Sequence, residues 1–154
     1  MSRKGYNKRI TIQGVTYDSK FEHRILQETN LQKEDYHSCV VPYEIHSTHK
    51  YQPDFTVYNS EPEEGYYDAV HFEAKGRFNF RHDLNKYKYI DKGMKEKNQK
   101  LVFIFENANT RIPGAKVRKD GSYLTNSQWA DKVGIQWIAV NGVNKLLGEI
   151  RYES

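Results

Sequence analysis

Two short runs hold the residues best suited to chemistry: Pro53-Asp54 and, nineteen positions after Asp54, Glu73-Ala74-Lys75. In a strand, residues two apart share a face, so Glu73 and Lys75 project together while Phe72 and Ala74 project to the other side. A carboxylate and an ammonium are then presented side by side. If the strand headed by Asp54 pairs with the strand of Glu73 as a hairpin across residues 59–66, a second carboxylate joins them. Two carboxylates make an oxygen-rich pocket suited to a hard cation such as Mg²⁺, usually held by one or two carboxylates with waters and phosphate oxygens. Lys75 would sit where a lysine can orient a water, or deprotonate it as the neutral amine, and as the ammonium offset charge on a phosphate. Glu22 is a fourth candidate, three and four residues before Ile25 and Leu26 and so on or beside the face a helix there would bury. Acids near a buried face need a partner or a metal.

Each of these residues also has a plainer reading. Glu22 can be a first-turn glutamate that complements the helix dipole. Asp54 can be a strand-end turn residue, and Glu73 with Lys75 a cross-strand ion pair on a solvated face. The ordered set, a helix Glu, then P-D on a strand, then E-x-K at a strand end, is more specific than any one member.

The elements that must position these side chains follow from periodicity and turn chemistry. Residues 1–9 read as a basic arm and 10–154 as one domain. Ile10-Thr11-Ile12 and Val15-Thr16-Tyr17 flank Gln13-Gly14, a small hairpin signal. Asp18 or Ser19 can cap a helix running to about residue 35, with Phe21, Ile25 and Leu26 as its apolar stripe. A strand over 39–45, broken by Pro42, leads into a polar bridge over 46–52. Pro53 opens a second strand, over 54–58, where its missing N–H is tolerated. A strand over 67–75 ends at Gly76, a basic helix covers 79–96, and residues 101–105 form a buried strand. A loop of about twenty residues follows, long enough to be functional or mobile. A short helix over 127–133, a strand over 135–140 and a last helix over 143–150 complete the chain. Strands and helices alternate, so the expected class is α/β with a mixed central sheet flanked by helices.

Charge and composition narrow the partners. The net charge is +4 but is segregated: Arg3, Lys4, Lys8 and Arg9 lie in the arm with no acid, and residues 77–100 are rich in Lys and Arg, among them Arg77, Arg81, Lys86 and Lys88. Arg111, Lys116, Arg118 and Lys119 form a third basic run. Such segregation suggests a polyanion surface, although any one Lys-rich stretch can be a solvated face. Apolar residues make up 37% of the chain with its 12 Tyr included, which predicts a thin core helped by a partner subunit. The longest apolar run, over 101–105, is far short of the roughly 18 residues a membrane span needs, and the polar basic N-terminus lacks a signal peptide's apolar stretch. A protein without membrane partner, in a reducing cytoplasm, is expected. The lone Cys39 suits that setting as a small apolar residue. His46 and His49 have an H-x-x-H spacing but no further ligand placed to complete a zinc site. The tyrosines, Tyr66-Tyr67 and Tyr87-x-Tyr89 among them, could stack on unpaired bases or simply cover the sheet. No P-loop or Gly-rich nucleotide loop is visible, so no nucleotide cofactor is expected.

Over most of residues 15–140 the chain resembles the PD-(D/E)XK nuclease superfamily, and within it the bacteriophage endonuclease I family of Holliday-junction resolvases. The resemblance is carried by Ser19-Lys20-Phe21-Glu22, Val41-Pro42-Tyr43-Glu44-Ile45 with the polar bridge after it, Tyr51-Gln52-Pro53-Asp54-Phe55 and Phe72-Glu73-Ala74-Lys75-Gly76. It implies that Asp54 and Glu73 bind the metals with the Ala74 carbonyl as a further ligand, that Glu22 completes a second metal site, and that Lys75 assists the attacking water. It also implies Mg²⁺ or Mn²⁺, two per site, and cuts that leave 5′-phosphate and 3′-hydroxyl ends. The family fold implies an intertwined homodimer whose first helix and strand cross over through the bridge, so that each site mixes residues of both chains; a two-fold dimer suits symmetric cutting of two strands. The segment between Asp54 and Glu73 is longer here, with Glu61, Glu63, Glu64 and Asp68 in an acidic loop, and the chain after Phe105 diverges. The leading reading is therefore a metal-dependent endodeoxyribonuclease that resolves branched DNA by paired phosphodiester hydrolysis. The alternatives are a PD-(D/E)XK nuclease of restriction or nicking type and a non-catalytic basic DNA-binding protein.

Overall fold

The computed structural model describes residues 9–44, 48–60 and 65–150. Short strands β1 (Ile10–Ile12) and β2 (Val15–Tyr17) pair antiparallel across Gln13-Gly14, both at positive φ as a tight two-residue hairpin requires. Helix α1 (Lys20–Glu28) follows at once. Its N-cap is Ser19, which shares a capping box with Glu22. The helix was expected to run to about residue 35, but Thr29 turns extended and only a separate short 3₁₀ turn, Lys33–Asp35, follows. The Thr29 hydroxyl accepts the Leu31 N–H and Asn144 accepts the Asn30 N–H. These local bonds compete with the helix and let Leu31 swing into the core.

Two further strands, β3 (Val41–Glu44) and β4 (Thr48–Tyr51), form an antiparallel hairpin in the register Val41↔Tyr51. Pro42 does not break β3, because a two-stranded ribbon leaves its missing N–H facing outward. The expected polar bridge over 46–52 is thus largely strand β4 in this chain; residues 45–47, His46 with them, lie outside the described residues.

The central sheet has four strands in the order β5 (Phe55–Tyr58), β6 (Ala69–Lys75), β7 (Gln99–Phe105) and β8 (Gln136–Ala139). β5 is antiparallel to β6, as the hairpin reading required, and β6, β7 and β8 run parallel. The parallel neighbours are joined through α2 (Arg81–Lys95) and α3 (Asn126–Val133), and α4 (Val143–Ile150) ends the described chain. The architecture is mixed α/β, a central mixed sheet flanked by helices. β7 shows why: as a central parallel strand it is apolar on both faces. Leu101, Phe103 and Phe105 face α2 and α3 through Leu84, Tyr87, Ile90, Met94 and Trp129. Val102 and Ile104 face α1 and α4 through Ile25, Val143, Leu147 and Ile150. Among the described residues no helix is long and apolar enough to cross a membrane.

The long loop after Phe105 is pinned by backbone bonds such as Ile112 N–H to the Leu124 carbonyl, 2.9 Å, and Asn126 N–H to the Thr110 carbonyl, 2.8 Å. Cys39 is half-buried against the core. Of the acidic loop, only Asp68 is described. It takes a side-chain bond from Asn98 at 3.1 Å, and Glu61, Glu63 and Glu64 lie outside the described residues.

Candidate active site

At the ends of β6 and β7 where both strands leave the sheet, a cleft of about 1050 Å³ is lined by Glu22, Asp54, Glu73, Ala74 and Lys75. All four side chains singled out in the sequence therefore face one space within a single chain. Glu73 and Lys75 project to the α2 side of β6 and form an ion pair, Lys75 Nζ to Glu73 Oε1 at 2.8 Å. Glu73 is 5% exposed and Lys75 half-buried, so the pair is not on a solvated face. Its two oxygens are further engaged by tyrosine hydroxyls: Tyr87 donates to Oε1 at 2.7 Å and Tyr51 donates to Oε2.

Asp54 reaches β6 from the strand's antiparallel neighbour. Its Oδ2 accepts the Ala74 N–H at 2.8 Å, continuing the β5–β6 ladder one position past the end of β5, while its backbone carbonyl accepts the His37 N–H at 2.9 Å. The strand-end reading of Asp54 is thus correct as structure, and the same bond holds its carboxylate beside Glu73. The Lys75 carbonyl accepts the Glu106 N–H on the β7 side, so the Ala74 carbonyl, one residue back, points toward the Asp54 side.

Glu22 has a structural occupation. Its Oε2 accepts the Ser19 N–H at 3.2 Å, closing the capping box, and the Tyr36 hydroxyl at 2.7 Å. The first-turn reading therefore describes one of its roles, and its place on the cleft wall allows another. No group of three or more His, Cys, Asp or Glu side chains among the described residues is arranged to hold a metal ion by itself.

Electrostatics set the protonation states. Burial, and then the charge of Glu73, push the Asp54 carboxyl up to about 7. Burial works the same way on Glu73, but the Lys75 ammonium with hydrogen bonds from Lys75, Tyr51 and Tyr87 outweighs it and holds this carboxyl below its ordinary value. Burial presses Lys75 down, yet the charge of Glu73 prevails and keeps the ammonium well above the usual lysine range. Burial also raises Glu22.

Three residues of the site, Tyr51, Tyr87 and His37, were not placed there by the sequence. Tyr51 and Tyr87 clamp Glu73, and Lys86 lies over both rings, 5.9 Å from the centroid of Tyr51 and 4.9 Å from that of Tyr87. His37 sits at a positive φ of 50°, with Nε2 3.8 Å from Asp54 Oδ1 and 3.7 Å from Asp18 Oδ2; the Asp54 carboxylate beside it outweighs burial and raises its pKa. Tyr87, read in the sequence with Tyr89 as a base-stacking or sheet-covering residue, lies on the buried stripe Leu84, Tyr87, Ile90, Met94.

The predicted cationic residues divide. Arg77 and Lys86 line the carboxylate cleft, as does Lys20. Arg81 and Lys88 line a separate groove on the other side of α2. Arg9 pairs with Asp18 at 3.1 Å, and Arg3, Lys4 and Lys8 lie outside the described residues. His49 stacks on Tyr43, with ring centroids 5.3 Å apart. No protein-family model, no curated protein and no solved structure matches this chain.

Proposed function

We propose that the chain is a metal-dependent endodeoxyribonuclease of the PD-(D/E)XK kind that resolves four-way DNA junctions by paired phosphodiester hydrolysis. The observation that carries this reading is the pair of buried carboxylates, Asp54 and Glu73, held side by side in one cleft with the Lys75 ammonium on Glu73. The donor chemistry fits a hard divalent cation: Asp54 is pushed up to about 7 by burial and by its neighbour's charge, a strain that added positive charge relieves. Asp54, Glu73 and the Ala74 carbonyl would hold Mg²⁺ or Mn²⁺, with Glu22 serving a second ion. Bound there, the metal supplies Lewis acidity toward a phosphodiester and lowers the pKa of a water.

The chain's own groups do the rest. Lys75, paired with Glu73 at 2.8 Å and facing the cleft, orients the water and offsets phosphate charge. Tyr51 and Tyr87 fix the Glu73 carboxylate. Arg77, Lys86 and Lys20 line the cleft with positive charge for the phosphates on either side of the scissile bond.

The active unit in this reading is a homodimer, formed when the β3–β4 hairpin opens and residues before the turn exchange between chains. The same contacts are then made with the partner, as in other domain-swapped dimers.

A specific observation favours one alternative. Both Glu73 oxygens already accept tyrosine and lysine donors, which is what a purely structural buried acid in a non-catalytic DNA-binding protein would show. Incubation with a four-way junction and with its linear duplex, in Mg²⁺ and in EDTA, separates the readings. Metal-dependent cutting at the junction alone is the expected result. Equal cutting of linear duplex selects a restriction or nicking type of nuclease, and binding without cutting selects the non-catalytic protein.

A further inference from the structure

A second groove, of about 490 Å³, lies between α2 and the loop that follows β7. Arg81 and Lys88 enter it from the helix, and Lys116 and Arg118 from the loop. Among the described residues no acidic side chain lines it, and Arg81, Lys88 and Lys116 form no ion pair. The floor is made of Leu84, Ile112 and Trp129, each no more than 7% exposed. A ligand therefore meets a cationic rim above an apolar floor.

The groove is built by the fold. The Arg111 guanidinium donates to the Ala115 carbonyl, by Nε at 2.9 Å and also by Nη2, which fixes the turn that leads to Lys116. Gly114, at φ +76°, lies beside Arg81, where a Cβ would be in ordinary contact with the arginine Cδ at 3.4 Å. Arg118 is held by its N–H to the Ser122 carbonyl at 2.7 Å and by its guanidinium on the Ser122 hydroxyl at 3.1 Å, with Asp120 beside it. The groove also adjoins the carboxylate cleft: Asn79 and Thr110 line the cleft, and Arg81 and Ile112, two residues further on in each segment, line the groove.

We infer that this groove seats the sugar-phosphate backbone of a DNA arm next to the strand being cut, with Arg81, Lys88, Lys116 and Arg118 as its phosphate contacts. Four cations on two elements, without an opposing acid in the lining, fit a chain of regularly spaced phosphates better than one small anion. The assignment rests on the nuclease reading for the identity of the polyanion.

The test measures binding of a fluorescent four-way junction by anisotropy in EDTA, across a salt series, so that cleavage plays no part. Lys116→Glu with Arg118→Glu is compared with Lys97→Glu with Lys145→Glu, which makes the same charge change at exposed positions away from both clefts. Lys116→Gln with Arg118→Gln removes the charge without reversing it. The groove variants should lose roughly tenfold or more in affinity, and their log Kd against log salt should be shallower by about two, one for each lost phosphate contact. The control pair should keep the wild-type slope. An unchanged slope in the groove variants, or an equal change in the control pair, overturns the assignment. If the wild-type chain binds junctions with the expected slopes yet cuts none in Mg²⁺, the nuclease reading falls while the groove stands.

Discussion

Asp54 is the residue most exposed to its electrostatic surroundings. Its carboxyl titrates at about 7 in the folded chain against an ordinary 3.8. The folded state therefore binds the proton more tightly than the unfolded state, and the stability this contributes is full below about 4 and lost as pH rises through about 7. The loss is on the order of 4 kcal/mol at most. Asp54→Asn keeps an acceptor for the Ala74 N–H but has no charge to desolvate. Thermal melts should show the variant more stable than wild type at pH 8 and equal to it near pH 4, with Mg²⁺ at pH 8 raising the wild-type melting temperature only. A wild type as stable as the variant at pH 8 would show that burial does not strain this carboxylate. The period of two placed Glu73 and Lys75 together, and Pro53-Asp54 marked the strand head, so the centre of the cleft was readable in the sequence. Tyr51, Tyr87 and His37 were not, because a tyrosine in an apolar stripe looks the same whether its hydroxyl meets water or a carboxylate. A left-handed histidine in an irregular turn has no periodicity at all.

At the scale of elements, α2 divides its charge between two clefts. Lys86 turns toward the carboxylates, whereas Arg81 and Lys88 turn toward the second groove. Replacing Arg81, Lys86 and Lys88 by Ala should lower junction affinity and make the salt slope shallower by roughly three. An unchanged slope would mean that the helix faces away from DNA. Phe103 packs between α2 and α3 against Phe78, Tyr87 and Trp129. Its replacement by Ala should destabilise the fold by about 3–5 kcal/mol, read from denaturant midpoints, and a cost below 1 kcal/mol would contradict the tight packing of that layer. Long periodic elements such as α2, β6 and β7 were legible to within about two residues. The misreadings lie where tertiary contact decides. The Thr29 and Asn144 bonds end α1, and β4 was hidden because Thr48, His49 and Lys50 are all exposed and only Tyr51 is buried. A ribbon strand with one buried residue shows no alternation.

At the scale of the whole molecule, the order of Glu22, the β3–β4 ribbon and Asp54 along the chain makes subunit exchange testable. A heterodimer co-expressed from a Glu22→Ala chain and an Asp54→Ala chain collects both lesions in one site if chains exchange their first segments, and it should nick one strand of a junction at a near-normal rate. If each chain closes on itself, both sites carry one lesion and the heterodimer stays inactive. The central claim, that the Asp54 and Glu73 carboxylates perform the hydrolysis, is tested most directly by single-turnover cleavage of a four-way junction in Mg²⁺ by wild type, Asp54→Asn and Glu73→Gln. Binding is measured in parallel in EDTA. Both variants should bind within about twofold of wild type, since the cationic surface is untouched, and lose cleavage by 10³-fold or more, on the order of 4 kcal/mol of barrier. Cleavage by either variant at near wild-type rate would contradict the account.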